Sequence, residues 1–250
     1  EAITVSGDDL RATAAAIFEK LGVPPDDAQV GADVLVLADL RGVDSHGVSN
    51  MLRSYVNGYT SGQINPRPNL KIVRESPATA SIDSDRGLGV ITAPKAMEIA
   101  IRKAKEVGVG MVTLGNARHL GMASYHAMMA LKHDMIGVCM TSCPPRTLPT
   151  FGAEPRLGTN PIAVAVPAKD DHPFVFDAAT SSVAQNKIEI ARRLGAKLEP
   201  GWLATEDGTP IMEEMAVPEK YHMLPMGATR ELGSHKGYGL SCVVDILAGV

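Results

Sequence analysis

The chain has 250 residues, 45% of them hydrophobic and 21% charged, with a formal net charge of −4. That length buries a substantial core, in one large domain or two smaller ones, and the negative balance argues against bulk attraction to nucleic acid or to an anionic membrane. No apolar run approaches the roughly 20 residues that cross a bilayer, and no basic region followed by an apolar stretch marks a signal peptide.

Ser6 and Asp9 resemble the start of a capping box, after which Leu10, Ala14, Ile17, Phe18 and Leu21 recur at helical spacing until Gly22. Pro24-Pro25-Asp26-Asp27 opens a second helix, carried by Val30, Val34, Leu37 and Ala38, and a third runs from about Val48 to Tyr59. Ser61 to Pro68 is a connection, because its two prolines and glycine suit neither helix nor central strand. Beyond it the pattern alternates. Strands are expected at Leu70 to Val73, Ala78 to Ile82, Gly110 to Leu114, Ile136 to Met140, Ile162 to Val166 and Phe174 to Phe176, the first two as a hairpin. Helices are expected at Ala93 to Val107, Gly121 to His133, Asn186 to Leu194 and Tyr238 to Val250.

This order predicts an α/β (α+β) fold, a helical N-terminal domain followed by a mixed-sheet domain. The expected divisions are a helical domain over residues 1–68, an α/β domain over 69–232, and a helix over 233–250 that returns to the helical domain. The last apolar run stops without a cap for its carbonyls, which suggests a piece of a longer protein. Cys139, Cys143 and Cys242 are too sparse for a disulfide framework and read as reduced thiols, fitting a cytoplasmic location.

Four clusters carry candidate chemistry. In LRGVDSHGV, residues 40–48, His46 sits between a serine and a glycine. It can pass protons near neutral pH, Ser45 can orient it, and Gly47 lets a substrate approach the backbone. Equally, Asp44 or Ser45 caps the next helix and His46 faces solvent. In GNARHLGMASYH, residues 115–126, a strand gives way to a helix, a place where α/β sheets put ligand loops. His119, His126 and His133 are seven residues apart, about 10 Å along a helix and too far to share one ion, and His119 at the helix start is the functional candidate.

The third cluster joins GTNPIAVAVPA, residues 158–168, to FDAATSS, residues 176–182. Asp177 ends a strand, where it orients a histidine, binds a ribose hydroxyl, or simply caps the helix containing Lys187. In SHKGYG, residues 234–239, His235 and Lys236 stand at the mouth of a helix, suited to a pyrophosphate or merely to solvent. No GxGxxG or P-loop pattern follows a strand.

Together LRGVDSHGV, GVGMVTLGNARHLG, GTNPIAVAVP, FDAATS and HKGYGL, in this order, resemble the malate/L-lactate dehydrogenase family of non-Rossmann NAD(P)-dependent oxidoreductases. That family includes sulfolactate, ureidoglycolate, diketogulonate and cyclic imino-acid enzymes. The resemblance implies hydride transfer between NAD or NADP and a small 2-hydroxy or 2-oxo acid, in a homodimer. It implies His46 as proton donor and acceptor, Ser45 and Asp177 as its orienting partners, and His119 as a rival for the catalytic role. Cofactor contacts are implied at His119, Leu120, Gly121, Met122, Ala123, Gly158, Asn160, Pro161, Asp177, Ala178, Ala179, His235 and Lys236. Substrate contacts fall to Asn50, Arg53 and Thr159, with no metal. Many members carry arginine four residues after the motif histidine, where a bidentate grip on a carboxylate is expected. Here that position is Asn50, and Arg53 matches a second arginine of the pattern. Two other readings are a homologue that binds cofactor without catalysis, and a metal-dependent hydrolase using Asp44, His46 and His119.

Overall fold

The helical spacing of the N-terminal stretch is answered by three helices in a computed structural model that describes residues 4–249. Helix α1 spans Gly7–Lys20 and is capped by Ser6, whose hydroxyl accepts from the Asp9 amide at 3.4 Å. Helix α2 spans Pro25–Leu40, with Pro25 in the first turn, where a missing N–H removes no helical bond. Helix α3 spans Val48–Thr60. Their apolar stripes converge on Phe18, Leu35, Met51, Tyr55 and Tyr59, all buried, with Phe18 and Tyr59 edge to face at 6.3 Å between centroids.

A sheet of three strands follows. β1 (Lys71–Glu75) and β2 (Thr79–Asp83) form the expected antiparallel hairpin. β2 then pairs in parallel with β3 (Met111–Gly115), placing Ile82 opposite Leu114, and the crossover is helix α4 (Gly89–Val107). Pro94 lies early in α4, a helix longer at its start than expected. The helix expected from Gly121 begins later, as α5 (Ala123–Met128) continued by a 3-10 turn over Met129–His133. Gly121 takes φ +78°, outside the right-handed helical region, and so cannot belong to it.

Strands β4 (Gly137–Met140), β5 (Ile162–Val166) and β6 (Phe174–Ala178) form a second three-stranded sheet in that order. Helix α6 covers Gln185–Leu194 and α7 covers Ser234–Gly249. Between them lie four two-residue strands that alternation in the sequence is too short to reveal. They are β7 (Lys197–Leu198), β8 (Leu203–Ala204), β9 (Met215–Ala216) and β10 (His222–Met223), paired β7 with β9 and β8 with β10. The architecture is a mixture of helices and small sheets.

The chain divides into two compact units. The first comprises the residues up to Gly137 with Ala165–Phe174, the second Val138–Val164 with the residues from Val175 onward. This division differs from the expected boundaries at 68 and 232. The β2-α4-β3 crossover belongs with the N-terminal helices, because Leu88, Val90 and Ile91 at the start of α4 share their core. Helix α7 is counted with the second unit.

Candidate active site

The segment between α2 and α3 is built by residues that cap from a distance. After α2, Asp44–His46 form one 3-10 turn, and Gly47 precedes α3 in extended conformation. Neither Asp44 nor Ser45 caps α3. Asp39, in the last turn of α2, does so: its Oδ2 accepts from the Val48 amide at 2.9 Å. Gly47 itself is closely packed. The group that approaches its backbone is the Asp39 carboxylate, and a Cβ at residue 47 would stand 1.7 Å from Asp39 Oδ1. Burial, opposed by the Val48 bond and helped by the charge of Asp44, raises the Asp39 carboxyl above the usual carboxylate range.

The turn presents Ser45 and His46 as a pair. Ser45 is buried, and its Oγ lies 2.8 Å from His46 Nδ1. The Asn50 amide donates from Nδ2 to the Ser45 carbonyl at 2.9 Å, fastening the first turn of α3 to the 3-10 turn. Asn50, expected at the substrate, makes this internal bond through Nδ2, and Arg53 one turn further is exposed.

His119 is not at a helix start. It lies in the loop between β3 and α5, which runs over the first turn of α4: its carbonyl accepts from the Val90 amide at 3.2 Å and the Gly87 carbonyl accepts from the Arg118 amide at 2.9 Å. Its ring stacks on His46, with centroids 5.5 Å apart and planes 13° apart. Its Nδ1 lies 2.7 Å from the Tyr55 hydroxyl and 3.3 Å from the Gly121 amide. Protein atoms crowd the ring, although the residue keeps solvent-exposed surface. The crowding strips solvent from the charged form, and with His46 beside it the imidazole is held down at about 4. Met122 and Ala123 are buried, so their side chains belong to the core, and the Leu120 carbonyl accepts from His126 Nε2 at 3.0 Å.

The second unit holds the remaining candidates. Asn160 is wholly buried at φ +29°. Its Oδ1 accepts from the Cys143 amide at 2.8 Å, and its Nδ2 donates to the Ser241 carbonyl at 3.2 Å and to Asp245 at 3.3 Å. That side chain is a latch between the 158–161 loop and α7. Gly158 packs against Cys143 with no room for a Cβ, Thr159 gives its carbonyl to the Thr180 amide at 2.8 Å, and Pro161 gives its carbonyl to the Thr141 amide at 3.3 Å. Asp177 is exposed near the end of β6, and Ala178 and Ala179 are half-buried beside it. Asp177 does not cap α6, whose N-cap is Ala184. His235 and Lys236 are exposed in the first turn of α7.

Two kinds of chemistry find no support. Among the described residues no group of three His, Cys, Asp or Glu side chains is placed to hold a metal ion, so the hydrolase reading lacks a ligand set. Burial, and secondarily the charge of Asp177, pushes the Cys139 thiol up to about 12, and burial also raises Cys143, so neither offers a thiolate nucleophile near neutral pH. Residues missed in the sequence are Asp39, which presents itself as one more acidic residue on α2, and Tyr55, which looks like a core residue of α3. The available signal for Tyr55 was its hydroxyl, which when buried requires a partner.

Comparison with known proteins gives the family of the chain. Residues 5–250 match the family model described as malate/L-lactate dehydrogenase. The chain belongs to that family. It is 46% identical over 249 residues to a malate dehydrogenase of Pyrococcus horikoshii, covering 99% of this chain and 69% of that protein. It is 43% identical over 234 residues to an L-sulfolactate dehydrogenase of Methanocaldococcus jannaschii, covering 94% and 65%. The crystal structure of malate dehydrogenase from Entamoeba histolytica superposes with a TM-score of 0.92 at 34% identity, covering 98% of this chain and 70% of that one. The chain thus spans about two thirds of the length of these relatives, and it is an oxidoreductase of the 2-hydroxyacid dehydrogenase kind. Among the described residues no helix is long and apolar enough to cross a membrane.

Proposed function

We propose that this family member interconverts a small 2-hydroxy acid and its 2-oxo acid, with NAD or NADP as the hydride carrier and His46 as the proton donor and acceptor. The observation that carries the reading is the Ser45 Oγ to His46 Nδ1 contact of 2.8 Å, in a turn clamped by Asp39 from one side and Asn50 from the other. A histidine held by one nitrogen keeps a fixed ring orientation, and imidazole passes protons near neutral pH.

The second unit has donors suited to a dinucleotide. His235 and Lys236 are exposed at the N-terminus of a 16-residue helix, where the backbone dipole adds to the attraction for a pyrophosphate. Asp177, exposed near the end of β6, is our candidate to accept from a ribose hydroxyl. A bound nicotinamide supplies or takes up the hydride at the substrate carbon. This chain's own part is the proton: in reduction, His46 gives one to the carbonyl oxygen as the carbon–hydrogen bond forms, and in oxidation it removes one from the hydroxyl. Arg53, exposed on α3, is our candidate for the substrate carboxylate, since Asn50 carries no charge and is bonded to Ser45. The active form is taken to be a homodimer.

The test is a matrix of 2-oxo acids and cyclic imino acids against NADH and NADPH, followed by nicotinamide absorbance. Turnover of at least one 2-oxo acid is expected. Folded protein that binds nucleotide but turns over none of the acids would overturn the reading in favour of a binding-only homologue.

A further inference from the structure

Two histidines are stacked in this site, and the geometry around one of them fixes what it can do. A backbone N–H only donates, so the Gly121 amide, 3.3 Å from His119 Nδ1, requires a lone pair on that nitrogen. The Tyr55 hydroxyl, 2.7 Å from the same Nδ1, must then also be a donor to it. Position 121 requires glycine, because it takes φ +78° and a Cβ there would lie 2.6 Å from Val90. Tyr55 is 2% exposed, so its hydroxyl has little access to solvent as an alternative partner. A proton on Nδ1 would face the Gly121 N–H, which can only donate, and the Tyr55 hydroxyl would have to turn from donor to acceptor.

We infer that His119 is a neutral imidazole in turnover with its proton on Nε2, that it serves as a fixed hydrogen-bond donor to a substrate oxygen, and that Tyr55 is the positioning residue that sets this tautomer. Of the stacked pair, His46 alone then exchanges a proton in turnover. The depressed imidazole described above agrees with the same geometry. A fixed donor aimed at an oxygen that gains negative charge as a carbonyl is reduced lowers the barrier without any proton leaving it. The substrate half of this inference rests on the 2-oxo acid reading, whereas the tautomer half stands on the protein alone.

The test begins with nitrogen-detected NMR of the full chain labelled in histidine, with His119 assigned by loss of its signals in His119→Gln. The expected spectrum shows His119 with an unprotonated Nδ1 and a protonated Nε2, unchanged from neutral pH down to about pH 5, where an ordinary histidine has become charged. An Nδ1–H tautomer, or titration at the ordinary position, overturns the inference whatever the activity. The second measurement is Tyr55→Phe, which keeps the ring in the core. It should raise the His119 titration midpoint and lower kcat roughly tenfold, with cofactor Kd changed by less than about twofold. An unchanged His119 titration in Tyr55→Phe would remove Tyr55 from the role. Because the spectrum needs no substrate, a failure to find turnover would overturn the 2-oxo acid reading and leave the tautomer decided.

Discussion

Replacing Gly47 by alanine probes the construction of the candidate active turn. The added Cβ would lie 1.7 Å from Asp39 Oδ1 and 2.4 Å from its Cγ, so the carboxylate has to leave. Leaving breaks its 2.9 Å bond to the Val48 amide and removes a negative charge from the start of α3. Loss of a helix cap costs about 1 kcal/mol and overpacking about 1–3 kcal/mol, giving roughly 2–4 kcal/mol in all. For a protein of this size that is a fall in Tm of roughly 4–15 °C. Backbone strain adds nothing, because residue 47 has φ −82°, which alanine adopts freely. The sharper assay is a double-mutant cycle by urea unfolding. In an Asp39→Ala background the obstructing carboxylate is gone, and Gly47→Ala should be neutral or stabilising by about 0.4–1 kcal/mol through the unfolded chain. Equal costs in the two backgrounds would refute the account of how Asp39 and Gly47 fit together.

Three further outcomes are expected. His119 sits at about 4 in the folded chain against an ordinary 6.5, so the unfolded chain binds the extra proton first. Stability contributed by the neutral ring is therefore present above about pH 6.5 and is lost as pH falls toward about 4; thermal melts across that window should show a shallower acid limb for His119→Gln than for wild type. Asn50→Leu removes the 2.9 Å bond to the Ser45 carbonyl and should cost about 0.5–1.5 kcal/mol in stability, with kcat reduced and the KM for the acid little changed; steady-state kinetics would show a raised KM for the acid at unchanged kcat if Asn50 grips the substrate. Arg53→Gln should raise the KM for the acid roughly tenfold or more, and an unchanged KM would send the carboxylate to another cation.

The fold was legible where periodicity is long. The spacing over α1 and α3 describes an amphipathic stripe, and Ile162–Val166 reads directly as a strand because its apolar run is bounded by prolines. The two-residue strands β7 to β10 carry no readable period. The start of α5 falls later than the spacing predicts because a glycine inside an apolar pattern does not announce its φ, and Gly121 is left-handed. In the site, His46 and Ser45 are neighbours in sequence and so were visible together. Asp39 was not, because helix caps are sought within a few residues and this one lies nine upstream of Val48. Tyr55 meets His119 across 64 positions, a pairing that follows only from the packing of α3 beneath the loop before α5.

The central claim, that His46 moves the proton in a nicotinamide-linked reduction, is tested most directly by His46→Ala. Its turnover of a reactive 2-oxo acid and its binding of the reduced cofactor should be measured on the same preparation. The account predicts that kcat falls by about 10²–10⁴, the usual contribution of a positioned general acid, while cofactor Kd stays within about twofold. Turnover that survives the substitution would contradict it.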